Sequence, residues 1–372
     1  MKLDELKTRY QFSDALRTKI GVSGDRLRAL EAGATLTFPE IRAITDALGL
    51  SLHDLVRDRS KSNIELRFRK KSDEDAEYVR SLNRILSGID DVCLTLPHLA
   101  ETQHYWWIQD FEIPDHSYQA ADLAADHFRA AFVDESLGPL SSLPQIVCQK
   151  ARILLFTFRS QAIEAAAAIH SGIPFIFVSR RKFHPRMLFS LAHELGHIIA
   201  HLRHPSGDVT SVDARGRIGS FGKGVPAEYR KSEYFADAFA SCLLLPARGV
   251  GIFLKELRGQ LPRGTVDKVS DVEILLLARY FNVSFQAAAR RCEDLRLLPP
   301  GGAKSIETVV RNQFKTPEKM ARQLGLSDRA EIHFEPCCSF LRSVLANEIE
   351  EGRLSIGRAQ EIVGERVDSL DK

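Results

Sequence analysis

The sequence is poor in the features that would classify it at once. Its six cysteines, Cys93, Cys148, Cys242, Cys292, Cys337 and Cys338, form no C-x-x-C pair and no disulfide framework, which predicts reduced thiols and a cytoplasmic setting. The adjacent Cys337 and Cys338 read as packing residues rather than a redox or metal pair. Charge of one sign is also missing. With 51 basic and 49 acidic residues the formal balance is +2, so no broad basic field marks a nucleic-acid binder, and any DNA contact must be local. No apolar run is long enough to span a bilayer. The longest uncharged stretch, Ala165 to Ser179, falls short of the roughly 20 residues needed and contains Gly172 and Pro174. The opening "MKLDELKTRYQF" is too polar for a signal peptide. Histidine is scarce, 12 in 372.

What is present suits a globular chain: 372 residues, 44% apolar and 27% charged, enough for two or three domains of about 150 residues each. Four regions differ in texture. Residues 1–59 read as short helices joined by small turns, with a break at Gly21-Val22-Ser23, Ser23 placed as an N-cap, and Ile41, Ile44 and Leu48 on one later apolar face. The polar run "RDRSKS" then opens a connecting region over 60–116. In it "IELRF" alternates like a strand, and "HYWWIQDF" reads as core packing at a junction. Residues 117–300 hold the informative motifs. Residues 301–372 are helical, and "LANEIEEGRLSIGRAQEIV" suits a packing or dimer-forming helix pair.

Within 117–300, "ARILLFTF", "AIEAAAAIH" and "IPFIFVSRR" are short apolar runs bounded by Ser, Gly and Pro, which predicts a small sheet of about three strands. A helix then opens at Pro185, and Met187, Leu188, Leu191, Leu195, Ile198, Ile199 and Leu202 give it a core-facing side. On it "HELGH" puts His193 and His197 four residues apart, so two imidazoles leave one face about 5–6 Å apart and can grip one ion. Glu194 is rotated about 100° from His193, where it can take a proton from a metal-bound water. The alternative is an ordinary amphipathic helix with exposed histidines.

A catalytic zinc ordinarily takes three protein ligands and keeps one position for water. Position 203 is Arg203 and position 200 is Ala200, so the spacing for a third histidine on the same segment fails. Downstream, "KSEYFADAFASCLLLP" has a helical pattern that stops at Pro246, with Glu233 and Asp237 on one face. Glu233 is the expected third ligand, and Asp237 is placed to accept the free N–H of a ligating imidazole. Asp208, Asp213 and Glu228 are weaker candidates in what reads as a Gly-rich loop. His204 lies about 16 Å along the axis from His193, too far to join it. His201, His204, Tyr229 and Tyr234 stay open as oxyanion stabilisers.

"MLFSLAHELGHIIAH" followed by "SEYFADAFASCLLLP" resembles the ImmA/IrrE family of metallo-endopeptidases, through Phe189, His193, Glu194, Leu195, Gly196, His197, Glu233, Ala236, Phe239, Ala240, Leu244 and Pro246. The resemblance extends to "LARYFNVSFQAAARRCEDLRLL" and more loosely to "ANEIEEGRLSIGRAQEIVG". It implies a zincin-like (gluzincin) domain with the H-E-x-x-H helix beside a small sheet, a Zn2+ cofactor, and limited cleavage of a helix-turn-helix repressor that switches on stress-response or mobile-element genes. The substrate could lie on the sheet as an added strand.

The N-terminal stretch resembles an Xre-type helix-turn-helix domain at Gly21, Val22, Ser23, Leu27, Leu30, Glu31, Gly33, Ile44, Leu48 and Leu55. That resemblance puts Arg26 and Arg28 at the DNA, on guanine or phosphate. Yet residues 1–59 carry ten basic against nine acidic residues, a weak electrostatic drive for DNA, and recognition of a protein partner is the alternative. The expected architecture is α+β and mostly helical: a helix-turn-helix bundle, a zincin-like domain and a helical C-terminal region. A DNA-binding regulator or an antitoxin-like interaction protein with a sensing or structural zinc stand as the alternatives to the peptidase.

Overall fold

The computed structural model describes residues 24–48, 65–67, 76–99, 106–135, 137–200, 209–214, 227–259 and 268–363. The described chain begins with two short helices, α1 (Gly24–Glu31) and α2 (Phe38–Leu48). Gly33, at φ +96°, ends α1, where the Ala34 N–H reaches Ala29 O and the Gly33 N–H reaches Leu30 O. This is the left-handed helix stop for which glycine is suited. Leu30, Leu36 and Ile44 are buried. The first predicted helix and Ser23 lie outside the described residues.

The strand expected in "IELRF" is β1 (Glu65–Arg67). Next come α3 (Ala76–Thr95), against which α2 packs, and the single-turn α4 (Trp106–Gln109). Trp107 is buried against Phe111, Phe128 and Phe132 and donates its indole N–H to Ala151 O at 3.1 Å, as core packing requires. Then follow α5 (Tyr118–Phe132), capped by Ser117, and α6 (Leu143–Gln149).

The sheet is larger than three strands. β2 (Leu154–Phe158), β3 (Ile163–His170) and β4 (Ile173–Ser179) are the three expected runs. After α7 (His184–Ala200) the chain adds β5 (Val209–Ala214), giving the order β1-β5-β3-β4-β2. β5 pairs antiparallel with β3 and parallel with β1. The segment read as a Gly-rich loop around Asp213 is therefore a strand, stabilised by pairing with a partner 40 or more residues away. The β3–β4 turn uses Ser171 and Gly172, both at positive φ, the geometry of a tight two-residue hairpin. Ala165, Ala166, Ala167 and Ala168 are all inaccessible. Burial on alternate residues alike means that both faces of β3 are covered, and α7 and α3 both pack on it.

The remaining helices are α8 (Ala227–Leu244), α9 (Ala247–Gly259), α10 (Asp271–Tyr280), α11 (Phe285–Asp294), α12 (Gly302–Phe314), α13 (Pro317–Gln323), α14 (Ser339–Glu350) and α15 (Ile356–Val363). One apolar core runs from Leu82 to Ile362. The C-terminal pair α14–α15 buries Leu341, Leu345, Ala359 and Ile362 in it, and Arg358 joins Asp91 of α3 at 2.7 Å. Among the described residues no single helix is long and apolar enough to cross a membrane.

Candidate metal centre

Two helices build the site. α7 carries Leu188, Leu191, Leu195, Ile198 and Ile199 at helical spacing, and all are inaccessible. Every residue from Ser190 to Ala200 is buried, so α7 is a core helix on all sides rather than an amphipathic one. With His193 at 5% and His197 at 2% exposure, the reading of exposed histidines does not hold.

α8 lies against α7 on one side and α5 on the other. The close approach to α7 explains Gly196: a Cβ there would meet Phe239 Cδ1 at 3.1 Å and the Ala236 Cα at 3.2 Å. Two buried arginines fix the far end of α8. Arg129 of α5 donates to Leu243 O at 2.6 Å, and Arg291 of α11 donates to Leu245 O at 2.8 Å and also contacts the Tyr118 hydroxyl. They satisfy carbonyls that a helix end leaves without intrahelical partners, and place positive charge at its negative pole. Burial draws both guanidiniums down to about 10, which leaves them charged at neutral pH. Sequence reasoning gave neither a role, because their partners on α8 are distant in the chain.

With α8 held, Glu233 faces the imidazole pair. His193 Nε2 and His197 Nε2 are 3.1 Å apart, Glu233 Oε1 is 3.4 Å from His197 Nε2, and Glu233 Oε2 is 3.7 Å from His193 Nε2. Zinc bonds of about 2.0–2.1 Å at tetrahedral angles place neighbouring donors about 3.3 Å apart; the two imidazole nitrogens are close to that value, and Glu233 turns a different carboxylate oxygen to each ring. His193, His197 and Glu233 are the one such ligand cluster among the described residues, with all three donor atoms within 4.8 Å. They could hold a metal ion.

Asp237, one turn beyond Glu233, lies 3.0 Å from His193 Nδ1. A carboxylate there accepts from the His193 Nδ1–H, so the proton that leaves when an ion binds is the one on Nε2, which faces the ligand cluster. Burial opposes charge on His193, but its bonds to Asp237 and Glu233 outweigh that and hold its pKa well above the ordinary histidine value. Burial and the neighbouring His193 push His197 the other way, against Glu233. Glu233 is buried, which favours its neutral form, yet its bonds with the two imidazoles keep it far below the usual carboxylate range. The cluster is thus one ionised carboxylate and one reluctant imidazole around a second imidazole that binds protons readily. Glu194 is fully inaccessible, next in sequence to His193 and about 100° around the axis from it.

Of the weaker ligand candidates, Asp213 is in β5, and Glu228 is in the first turn of α8, more than a turn before Glu233. Asp208, His201, His204 and the Tyr229 side chain lie outside the described residues. Tyr234 is half exposed, with Asp294 and Cys242 as its electrostatic neighbours, which sets it on the α11 side of α8. The two arginines read as DNA contacts do not reach outward together. Arg26 Nε pairs with Glu40 Oε1 at 2.7 Å, and its Nη2 donates to Thr35 O at 3.0 Å, so it ties α1 to α2. Arg28 is exposed and pairs with Asp25 at 2.7 Å.

Residues 148–293 match the family model of the IrrE N-terminal-like domain, Peptidase_M78. No curated protein matches the chain. The match covers β2 to α11, and with it both helices of the metal centre. It supports the ImmA/IrrE resemblance and a metallopeptidase-like activity for this part of the chain.

Proposed function

We propose that the protein is a zinc-dependent endopeptidase that regulates transcription by limited cleavage of a helix-turn-helix repressor. The observation that carries the reading is the convergence of His193, His197 and Glu233, one ligand atom from each lying within 4.8 Å of the others in a buried cluster. Bound zinc would supply Lewis acidity to the scissile carbonyl and a water acidified to a pKa of about 7. The protein's own groups do the rest. Asp237 fixes the tautomer and direction of the His193 ring. Glu194, buried beside His193, takes the proton of the attacking water and returns it to the leaving amine.

The repressor as substrate follows from the family resemblance. The N-terminal helical pair fits recognition of a protein at least as well as DNA, since Arg26 is engaged by Glu40. The test is Glu194→Gln in the full chain loaded with zinc and incubated with purified helix-turn-helix repressors, starting with any encoded in a neighbouring gene, reading fragment masses. Metal content should be unchanged and cleavage abolished. Cleavage at the wild-type rate would remove Glu194 from the mechanism, and a wild-type protein that cuts no repressor while binding zinc normally would leave a sensing or structural site.

A further inference from the structure

The chain as a whole is almost neutral, at +2, yet one end of its sheet gathers basic residues from two adjoining segments. β2 and β4 run parallel with Phe158 opposite Ser179, so the next residue of each, Arg159 and Arg180, leaves the sheet at the same end. The Arg180 N–H donates to Phe158 O at 2.7 Å, and its Nε donates to the Thr157 hydroxyl at 3.0 Å. Arg181 and Lys182 follow, and Arg186 is in the first turn of α7.

Three of these five cations are uncommitted. Arg186 is paired with Glu164 of β3, Nη2 to Oε2 at 2.7 Å, and Arg181 donates to Ser160 O at 2.6 Å. Arg159, Arg180 and Lys182 are exposed, and among the described residues none of them has a carboxylate partner. Burial and the neighbouring Arg159 together draw the Arg180 guanidinium below its ordinary value, as like charges held side by side do. Such a surface attracts an anion.

What adjoins the cations indicates which anion. Residues 335–338 lie extended along the outer edge of β2. The Thr157 hydroxyl donates to Glu335 O at 3.2 Å, the Thr157 N–H donates to Pro336 O at 2.9 Å, and the Cys338 N–H donates to Leu155 O at 2.8 Å. A polypeptide is thus already seated against Thr157, the residue that also holds Arg180. The Glu335 carboxylate pairs with Arg342 at 3.4 Å, so it leaves the three cations to another acid. Nucleic acid fits less well, because three free cations fall short of the roughly 6–10 phosphate contacts of a DNA site. An extended segment of about six residues, at about 3.3 Å each, carries enough acids to meet all three. It is also long enough to reach the metal ligands. α7 starts at this end, and His193 comes seven residues after Arg186, about 10 Å along the axis.

We infer that Arg159, Arg180 and Lys182 form a docking surface for an acidic segment of a polypeptide, the substrate of the proposed peptidase. The occupant's being a substrate rests on the peptidase reading; the docking rests on the three cations. A protein held there by its acidic segment presents the neighbouring residues to the metal centre, and selection among proteins then depends on charge outside the cleaved bond.

The experiment needs no turnover. The full chain carrying Glu194→Gln is titrated into labelled hexaglutamate, hexaglutamine or an oligothymidylate of about 20 nucleotides, and fluorescence anisotropy is read. Hexaglutamate should bind and hexaglutamine should not. Raising the ionic strength from about 0.01 M to about 1 M, which cuts the Debye length from about 30 Å to about 3 Å, should abolish the binding. Arg159→Ala, Arg180→Ala and Lys182→Ala combined should weaken it by about tenfold or more, because each exposed pair contributes little and three act together. Lys304→Ala, at an exposed position of α12, should leave it unchanged. If the triple variant fails to fold, Arg159→Ala and Lys182→Ala, which keep the bond from Arg180 to Thr157, should each weaken binding by about twofold. Hexaglutamate affinity that is the same in these variants as in the parent would overturn the proposal. So would an oligothymidylate that binds more tightly than the peptide with a salt slope steeper than about −2, the value for three phosphates, since a strand that recruits more contacts marks a nucleic-acid face. A chain that binds hexaglutamate through these residues yet cuts no protein would keep the docking surface and remove the peptidase reading.

Discussion

Two pairs of helices in this chain are tied together by the same chemistry, a nitrogen group on one helix and a carboxylate on the other, and they differ in where the tie sits. In α1–α2 the Arg26–Glu40 pair is at the surface, with 34% and 16% of the side chains exposed. In α7–α8 the His197–Glu233 contact has 2% and 11% exposed. An exposed ion pair is screened by water and contributes little beyond orientation. Buried polar groups have no solvent alternative, so each one left without a partner is costly. The buried tie can therefore set a geometry for chemistry, whereas the exposed one fastens two helices to each other.

The sharpest way to break the comparison is to remove the carboxylate from the buried pair. Three ligands sharing a typical zinc-site energy of ~10–16 kcal/mol would each account for about 3–5 kcal/mol. Glu233→Ala should therefore lower zinc affinity by about a thousandfold, measured by competition with a chromophoric chelator. Asp237→Ala leaves all three ligands in place and removes only what orients His193, so the loss should be about 10–100-fold. Equal losses for the two variants would mean that Glu233 and Asp237 are not ligand and support but one acidic patch.

The pH dependence sharpens the same point. His193 in the metal-free protein binds a proton more readily than an ordinary histidine, while His197 is held toward its neutral form and Glu233 toward its ionised form. One proton, that of His193, has to leave when the ion binds. Zinc affinity should then rise about tenfold per pH unit from the ordinary histidine range of about 6.5 upward, until His193 titrates. Stability follows by linkage. What protonated His193 contributes to the metal-free fold is fully present below its unfolded pKa and is lost as pH rises through its higher folded value. The gap in Tm between loaded and stripped protein should widen as pH increases. A slope near two protons would show the imidazoles titrating as a unit.

Legibility in the sequence followed the range of the interactions. His193 and His197 are four apart, Glu233 and Asp237 are four apart, and the apolar spacing of α7 is local, so helix geometry brought out the two pairs from which the ligand set is drawn. Pro185 and Pro246 mark helix ends by equally local chemistry. What stayed hidden depended on distant partners. β5 is a strand because β3 pairs with it. The all-round burial of α7 depends on α8 and the sheet packing around it. Arg129 and Arg291 hold the end of α8 from 114 and 46 residues away. The Arg26–Glu40 pair spans 14 residues, beyond the reach of a periodicity argument.

The smallest effect belongs to the exposed pair. Glu40 accepts from Arg26 at 2.7 Å and from the Thr37 N–H at 2.7 Å, and these bonds hold its carboxyl down at about 2. A depressed carboxylate supports the fold above its unfolded pKa, and that support is lost as pH falls toward about 2. Glu40→Ala should thus lower Tm slightly at neutral pH and not at all in strong acid, with zinc affinity at neutral pH unchanged. It should also release Arg26 to solvent. If residues 24–48 contact DNA through Arg26, the variant binds DNA more tightly than the wild type; if they contact a protein through the tied α1–α2 surface, it binds that protein more weakly. Titrating the variant against the operator and against the repressor distinguishes these outcomes. A change in zinc affinity in the same variant would show that the exposed tie and the buried one are coupled through α3, and would end the separation from which this comparison begins.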